Sequence, residues 1–113
     1  KTRDPAHPMF LLGWKGDYPD PDNYLFPLLH GANAGDLNGS FWQDPEFDRT
    51  VGAARHEPDA SRRRELHTRA LERYRRELPT LPLVHVPLYF IASARVDWKP
   101  HPIDLHFSSV RLR

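Results

Sequence analysis

The chain contains no cysteine in 113 residues. That excludes a disulfide framework and a thiol nucleophile, and leaves the compartment open. It also lacks an excess of charge: 16 Lys and Arg against 15 Asp and Glu leave a formal +1, so no polyanionic partner is implied for the chain as a whole. No apolar run approaches the ~18 residues that span a bilayer, and no secretory-leader pattern is present. Seven histidines occur, at 7, 30, 56, 67, 85, 101 and 106, but none belongs to HExxH or an i, i+4 pair. His101 and His106, five apart across a proline, are poorly spaced for a metal. GxSxG and P-loop patterns are missing too. The expectation is a non-enzyme without cofactor, metal centre or catalytic residues.

Proline is what the chain has in abundance: 12 residues, against a general usage of about 5%. The apolar fraction is 39%, and the length allows one domain at most. Because the chain opens at Lys1 and ends on Arg113 just after a strand-like stretch, it reads as a piece of something larger.

Residues 9–14, Met-Phe-Leu-Leu-Gly-Trp, form a short continuous apolar run, which suits a strand buried on both faces. Residues 15–43 are turn-rich, with a short helix expected near 23–29. Asp44 as N-cap and Pro45 at the first helical position open the next helix, whose stripe is Phe47, Val51 and Ala54; His56 and Pro58 end it. Another starts near Asp59 or Ser61 and runs to Leu78, with Leu66, Ala70, Leu71, Tyr74 and Leu78 on one face, and Pro79 stops it. Residues 80–92 are β-branched and aromatic but interrupted by prolines, and a last strand is expected over 105–112. The order strand, loop, helix, helix, strand, strand indicates an α/β or α+β fold.

The most informative stretch is Gly13-Trp14-Lys15-Gly16-Asp17-Tyr18-Pro19-Asp20-Pro21-Asp22-Asn23-Tyr24. Prolines 19 and 21 fix two φ angles, so the turn is stiff and its carboxylates are aimed. A Ca²⁺ loop is disfavoured, since Leu25 stands where an EF-hand needs glycine and the terminal glutamate is missing. Asp20, Asp22 and Asn23 suit turn capping. Asp17 sits three residues past Trp14, with Lys15 and Gly16 leaving it room. A carboxylate beside an indole needs a cation or several N–H donors. An ammonium ligand and an internal salt bridge to an arginine both satisfy that need.

Seven arginines between 62 and 76 could form a nucleic-acid footprint. Glu65–Arg69 and Glu72–Arg76 fall at the favourable i, i+4 spacing, however, and a solvated, salt-bridged helix face accounts for the pattern.

In order, these motifs resemble the C-terminal part of a bacterial ABC-transporter solute-binding protein of family 5, the group of dipeptide-, oligopeptide- and nickel-binding proteins. The resemblance rests on the Gly13–Tyr24 motif, on Asn38 and Phe41/Trp42 leading to Pro45-Glu46-Phe47-Asp48, on Ala53-Ala54, on Arg64 with the 66–74 helix, and on Pro79-Thr80-Leu81-Pro82-Leu83. It implies an α/β, class II, two-lobed periplasmic-binding-protein-like fold, incomplete in this chain. Residues 1–80 would belong to the C-terminal lobe (strand, binding loop, two helices), and residues 81–113 would return through the hinge toward the N-terminal lobe. It further implies extracytoplasmic capture of a peptide or similar solute for ABC permease subunits, by a protein monomeric when intact and independent of nucleic acid. Asp17 takes the place of the aspartate that pairs with the ligand's α-ammonium group, and Trp14 that of the pocket tryptophan. Gly13, Lys15, Gly16 and Tyr18 are the flanking candidates. A nickel or other non-peptide solute binder of the same family, and a small nucleic-acid-associated protein using the arginine helix, are the alternatives.

Overall fold

In a computed structural model, residues 9–99 and 107–112 are described. The chain divides into two units, meeting between Leu81 and Pro82.

Three helices build the first unit: α1 (Asp22–Leu29), α2 (Pro45–His56) and α3 (Ala60–Glu77). Asp20 prepares α1, its Oδ1 accepting from the Asp22 N–H at 2.8 Å. Asp22 then places a negative charge in the first turn, where the helix dipole favours it. At the other end Asn38, fully buried, donates its amide to the carbonyls of Leu29 and His30 at 3.2 Å and of Trp42 at 2.8 Å. These bonds satisfy orphan carbonyls at the end of α1 and hold the 30–43 loop closed on itself. Ser40 completes the arrangement, donating to Asn38 Oδ1 at 2.7 Å.

Helix α2 begins as its sequence dictates. Asp44 is extended and its carboxylate accepts from the Phe47 N–H at 2.8 Å, with Pro45 in the first turn. The stripe Phe47, Val51 and Ala54 is fully buried. Asp59 caps α3 through the Arg62 N–H at 2.8 Å, and Leu78 ends it in the left-handed region. The buried side of α3 differs from expectation: His67 and Ala70 are buried, whereas Leu71 and Leu78 are exposed. The face is turned about one residue because α2 offers it only a narrow stripe. Leu25 and Leu29 of α1, Phe47 and Val51 of α2, and Ala70 of α3 form one core, flanked by Phe26, Leu28, Trp42 and Tyr74.

Residues 9–14 are not a strand. A strand is defined by its partner, and among the described residues none pairs with this run. Met9 and Leu11 are exposed, while Phe10 lies against Gly39, where an added Cβ would come within 2.6 Å of its ring.

In the second unit, strand β1 (Val96–Asp97) pairs antiparallel with β2 (Arg111–Leu112), Val96 opposite Leu112. Phe90 meets Trp98 edge to face at 5.3 Å. The strand expected over 105–112 is reduced to Arg111–Leu112, with a 3₁₀ turn at Phe107–Ser109; residues 105 and 106 lie outside the described residues. The apolar run 80–92 is irregular, and its residues from Leu81 on are exposed. Pro82 and Pro87 withhold two ladder donors, and two covering layers would be needed to bury both faces. The described residues are thus a small mixed helix and strand fragment.

Candidate functional site

The Asp-Pro-Asp turn is fixed by arginines from two other helices. Asp20 Oδ2 accepts from Arg63 of α3 at 2.8 Å. Asp22 accepts from the Tyr18 hydroxyl at 3.1 Å, and its other oxygen lies 3.3 Å from Arg55 Nε of α2, an ion pair without hydrogen-bond alignment. Arg55 also covers the Phe26 ring, 3.7 Å from its centroid. Burial raises the Asp20 pKa, but the Asp22 N–H and the Arg63 guanidinium outweigh it and hold the carboxyl below its ordinary value.

Asn23, also buried, organises the preceding segment. Its side-chain oxygen accepts from the Asp17 N–H at 3.0 Å and lies 3.3 Å from the Trp14 indole nitrogen. Its backbone carbonyl accepts from the same indole at 2.8 Å. Beside it, the Tyr24 hydroxyl accepts from the Gly16 N–H at 3.1 Å. Gly16 is needed at this approach, since a Cβ there would stand 2.9 Å from the Tyr24 hydroxyl.

Each residue singled out in the sequence therefore has a definite place. Trp14 is half-buried on Asn23, Gly16 is buried on Tyr24, and the Tyr18 hydroxyl is turned inward to Asp22. Gly13 and Lys15 are exposed. Asp17 is exposed and anchored by its backbone, while its carboxylate meets no donor among the described residues. Among the described residues, the internal salt bridge open to it in the sequence is not formed; Arg55 and Arg63 take Asp22 and Asp20 instead.

Three of the seven arginines of α3 are paired within their own unit. Arg63 holds Asp20, Arg62 approaches Glu57 at 3.7 Å, and Arg73 donates to Asp44 through Nε at 2.8 Å and Nη2 at 2.7 Å. Neither Glu65–Arg69 nor Glu72–Arg76 closes as an ion pair; the i, i+4 pair that forms is Arg73–Glu77 at 3.7 Å. A groove of about 380 Å³ between α2 and α3 is lined by Arg49, Arg69 and Arg76 among others. A second, of about 320 Å³, runs past Asp20, Arg63 and His67. Neither includes Trp14 or Asp17. His67 is buried with Nε2 unpartnered; burial lowers its pKa, offset in part by the charges of Asp20 and Asp22.

Sequence reasoning missed Asn23 as an organiser and read it as turn chemistry. One signal was available: Asn23 stands at the start of a helix whose next turn contains a proline, so its carbonyl has no N–H at i+4 to accept from.

No family model matches the chain, and no solved structure matches it significantly. Among curated proteins it is 37% identical over 108 residues to Di/tripeptide-binding protein 1 of Pseudomonas aeruginosa (strain UCBPP-PA14), an alignment covering 94% of this chain and 20% of that protein. Di/tripeptide-binding protein 2 of the same strain is 37% identical over 116 residues, covering 99% of this chain and 22% of that protein. Heme-binding protein A of Haemophilus influenzae is 33% identical over 86 residues, covering 76% and 16%. The chain thus spans about a fifth of the length of these relatives. The relatives are named as binding proteins, and the nucleic-acid alternative is not favoured. Matching the C-terminal part of each, the chain belongs to family 5 of the ABC-transporter extracytoplasmic solute-binding proteins.

Proposed function

We propose that this chain is the C-terminal part of a two-lobed, class II binding protein that captures di- or oligopeptides outside the cytoplasm for an ABC permease, without catalysis. Residues 1–80 belong to the C-terminal lobe in this reading, and residues 81–113 pass back toward the other lobe. The exposed apolar side chains along 81–91 are then surface awaiting the rest of the protein. Asp17 receives the α-ammonium group of the peptide, and Trp14 forms a wall beside it.

One observation carries the assignment to Asp17. Of three aspartates in one rigid turn, two are bound to arginines, and the third is held by its backbone, with its carboxylate unpartnered among the described residues. A charge-assisted hydrogen bond to an ammonium contributes about 1.5–3 kcal/mol. Asp17→Asn should therefore weaken peptide binding about 10- to 150-fold. A suitable host is a chimera in which this sequence replaces the matching part of Di/tripeptide-binding protein 1, titrated calorimetrically with dialanine. Circular dichroism confirms that each variant is folded. N-acetyl-dialanine should bind the parent chimera as poorly as dialanine binds the variant. Undiminished affinity in a folded Asp17→Asn chimera removes Asp17 from the site. Because one relative is named for heme, equal binding of acetylated and free peptide would point to a non-peptide solute.

A further inference from the structure

Helix α1 contains a proline, Pro27, sixth of its eight residues. Proline in a helix interior has no N–H for the carbonyl four residues earlier, and its ring pushes that carbonyl outward. Four residues before Pro27 is Asn23. Its carbonyl is the one that accepts the Trp14 indole N–H at 2.8 Å, the shorter of the two bonds that indole makes to Asn23. Outside a helix's last turn, such a carbonyl would normally be occupied by its own helix.

We propose that Pro27 is a positioning residue for the ligand site: by leaving the Asn23 carbonyl unoccupied, it supplies the acceptor that orients Trp14. The same asparagine holds the Asp17 backbone through its side chain, so the indole and the carboxylate are set by one buried residue. The neighbouring bond from the Gly16 N–H to Tyr24 docks the intervening residues on the same turn of α1. Pro27 thereby acts through Asn23 on the relative placement of the wall and the charge. The role in ligand binding rests on the reading of Trp14 and Asp17 given above; the orientation of Trp14 by Pro27 does not.

Pro27→Ala separates the two. Alanine restores an N–H that competes for the Asn23 carbonyl and improves the helix, so the thermal midpoint should hold or rise. At the same time the Trp14 indole N–H, assigned by its disappearance in Trp14→Phe, should exchange with solvent about tenfold faster or more. The indoles of Trp42 and Trp98 should not change. In the chimera, dialanine affinity should fall about fivefold or more, and a double-mutant cycle should show that loss vanishing once Trp14 is phenylalanine. Unchanged exchange at Trp14 overturns the proposal, and so does a lowered midpoint, because Pro27 would then serve the fold itself. Faster exchange with unchanged affinity supports the orienting role and overturns the placement of Trp14 in the site.

Discussion

Asp44 performs two jobs with two oxygens, and substitutions can separate them. Oδ1 caps α2 by accepting from the Phe47 N–H at 2.8 Å, and Oδ2 takes both Nε and Nη2 of Arg73, tying α3 to the start of α2. Asparagine caps a helix about as well as aspartate but puts an NH2 donor where Oδ2 stood, so Asp44→Asn should keep the cap and lose the bonds to Arg73 with their charge, about 1 kcal/mol once the partial exposure of Arg73 is allowed for. Asp44→Ala loses the cap as well, a further ~1 kcal/mol, and leaves the buried Phe47 N–H without its acceptor, for about 2–3 kcal/mol in all. Urea titration followed by helical circular dichroism, which reports the first unit, measures both. The effect must also depend on pH. Burial raises the Asp44 pKa, but the Phe47 N–H and Arg73 outweigh it and hold it below the ordinary value. A carboxyl depressed on folding stabilises above its unfolded pKa of about 3.9, and that stabilisation is lost as pH falls through the folded value. The gap between the parent chain and Asp44→Asn should thus be full at neutral pH and close in stronger acid. Equal destabilisation by the two substitutions, or a gap that persists in strong acid, would refute this division of labour.

Phe47→Ala should cost about 3–5 kcal/mol, because the ring is wholly buried and packs tilted at 57° against Trp42, 4.7 Å between centroids. Leu71→Ala on the exposed side of α3 should cost well under ~1 kcal/mol by the same titration, and similar losses would mean the core is misplaced. His67 is faced by Asp20, Asp22 and Arg63, and its pKa is lowered mainly by burial. Its neutral form therefore stabilises above the unfolded value of about 6.5, and stability should decline as pH falls below that toward the folded pKa. Melting midpoints between pH 8 and about pH 5 should show this slope in the parent chain and lose it in His67→Gln; equal slopes would exclude His67 as the cause.

The helices were legible because their signals are local. Asp44-Pro45 and Asp59 announce two N-termini through contacts spanning three residues, and the Phe47, Val51, Ala54 stripe needs only helical periodicity. The runs 9–14 and 80–92 were misread because apolar, β-branched composition records only that a segment suits a strand. The ladder depends on a partner the local sequence does not specify. The buried face of α3 failed for a related reason. Its apolar residues fit one face, but the bond of Arg63 to Asp20, 43 positions away, sets α3 against the Asp20 turn with His67 buried.

The same non-local pairing separates the three aspartates of the turn. By spacing alone, Arg69 and Arg76 belong to glutamates one turn away on α3, and nothing marks Asp20 or Asp22 as the object of a distant guanidinium. In the fold, desolvation reverses that preference. Exposed i, i+4 pairs contribute only a few tenths of a kcal/mol, whereas partial burial between elements strengthens the single bond of Arg63 to Asp20 and the ion pair of Arg55 with Asp22. Arg55 and Arg63 therefore go to the carboxylates at the base of α1. Asp17, five residues before Asp22, is held through its N–H and pairs with neither arginine among the described residues. Had either arginine reached it, its charge would be neutralised within the unit, and the ammonium group proposed above as its ligand would find no partner. The pairing that stabilises the turn is thus also what keeps one of its carboxylates available.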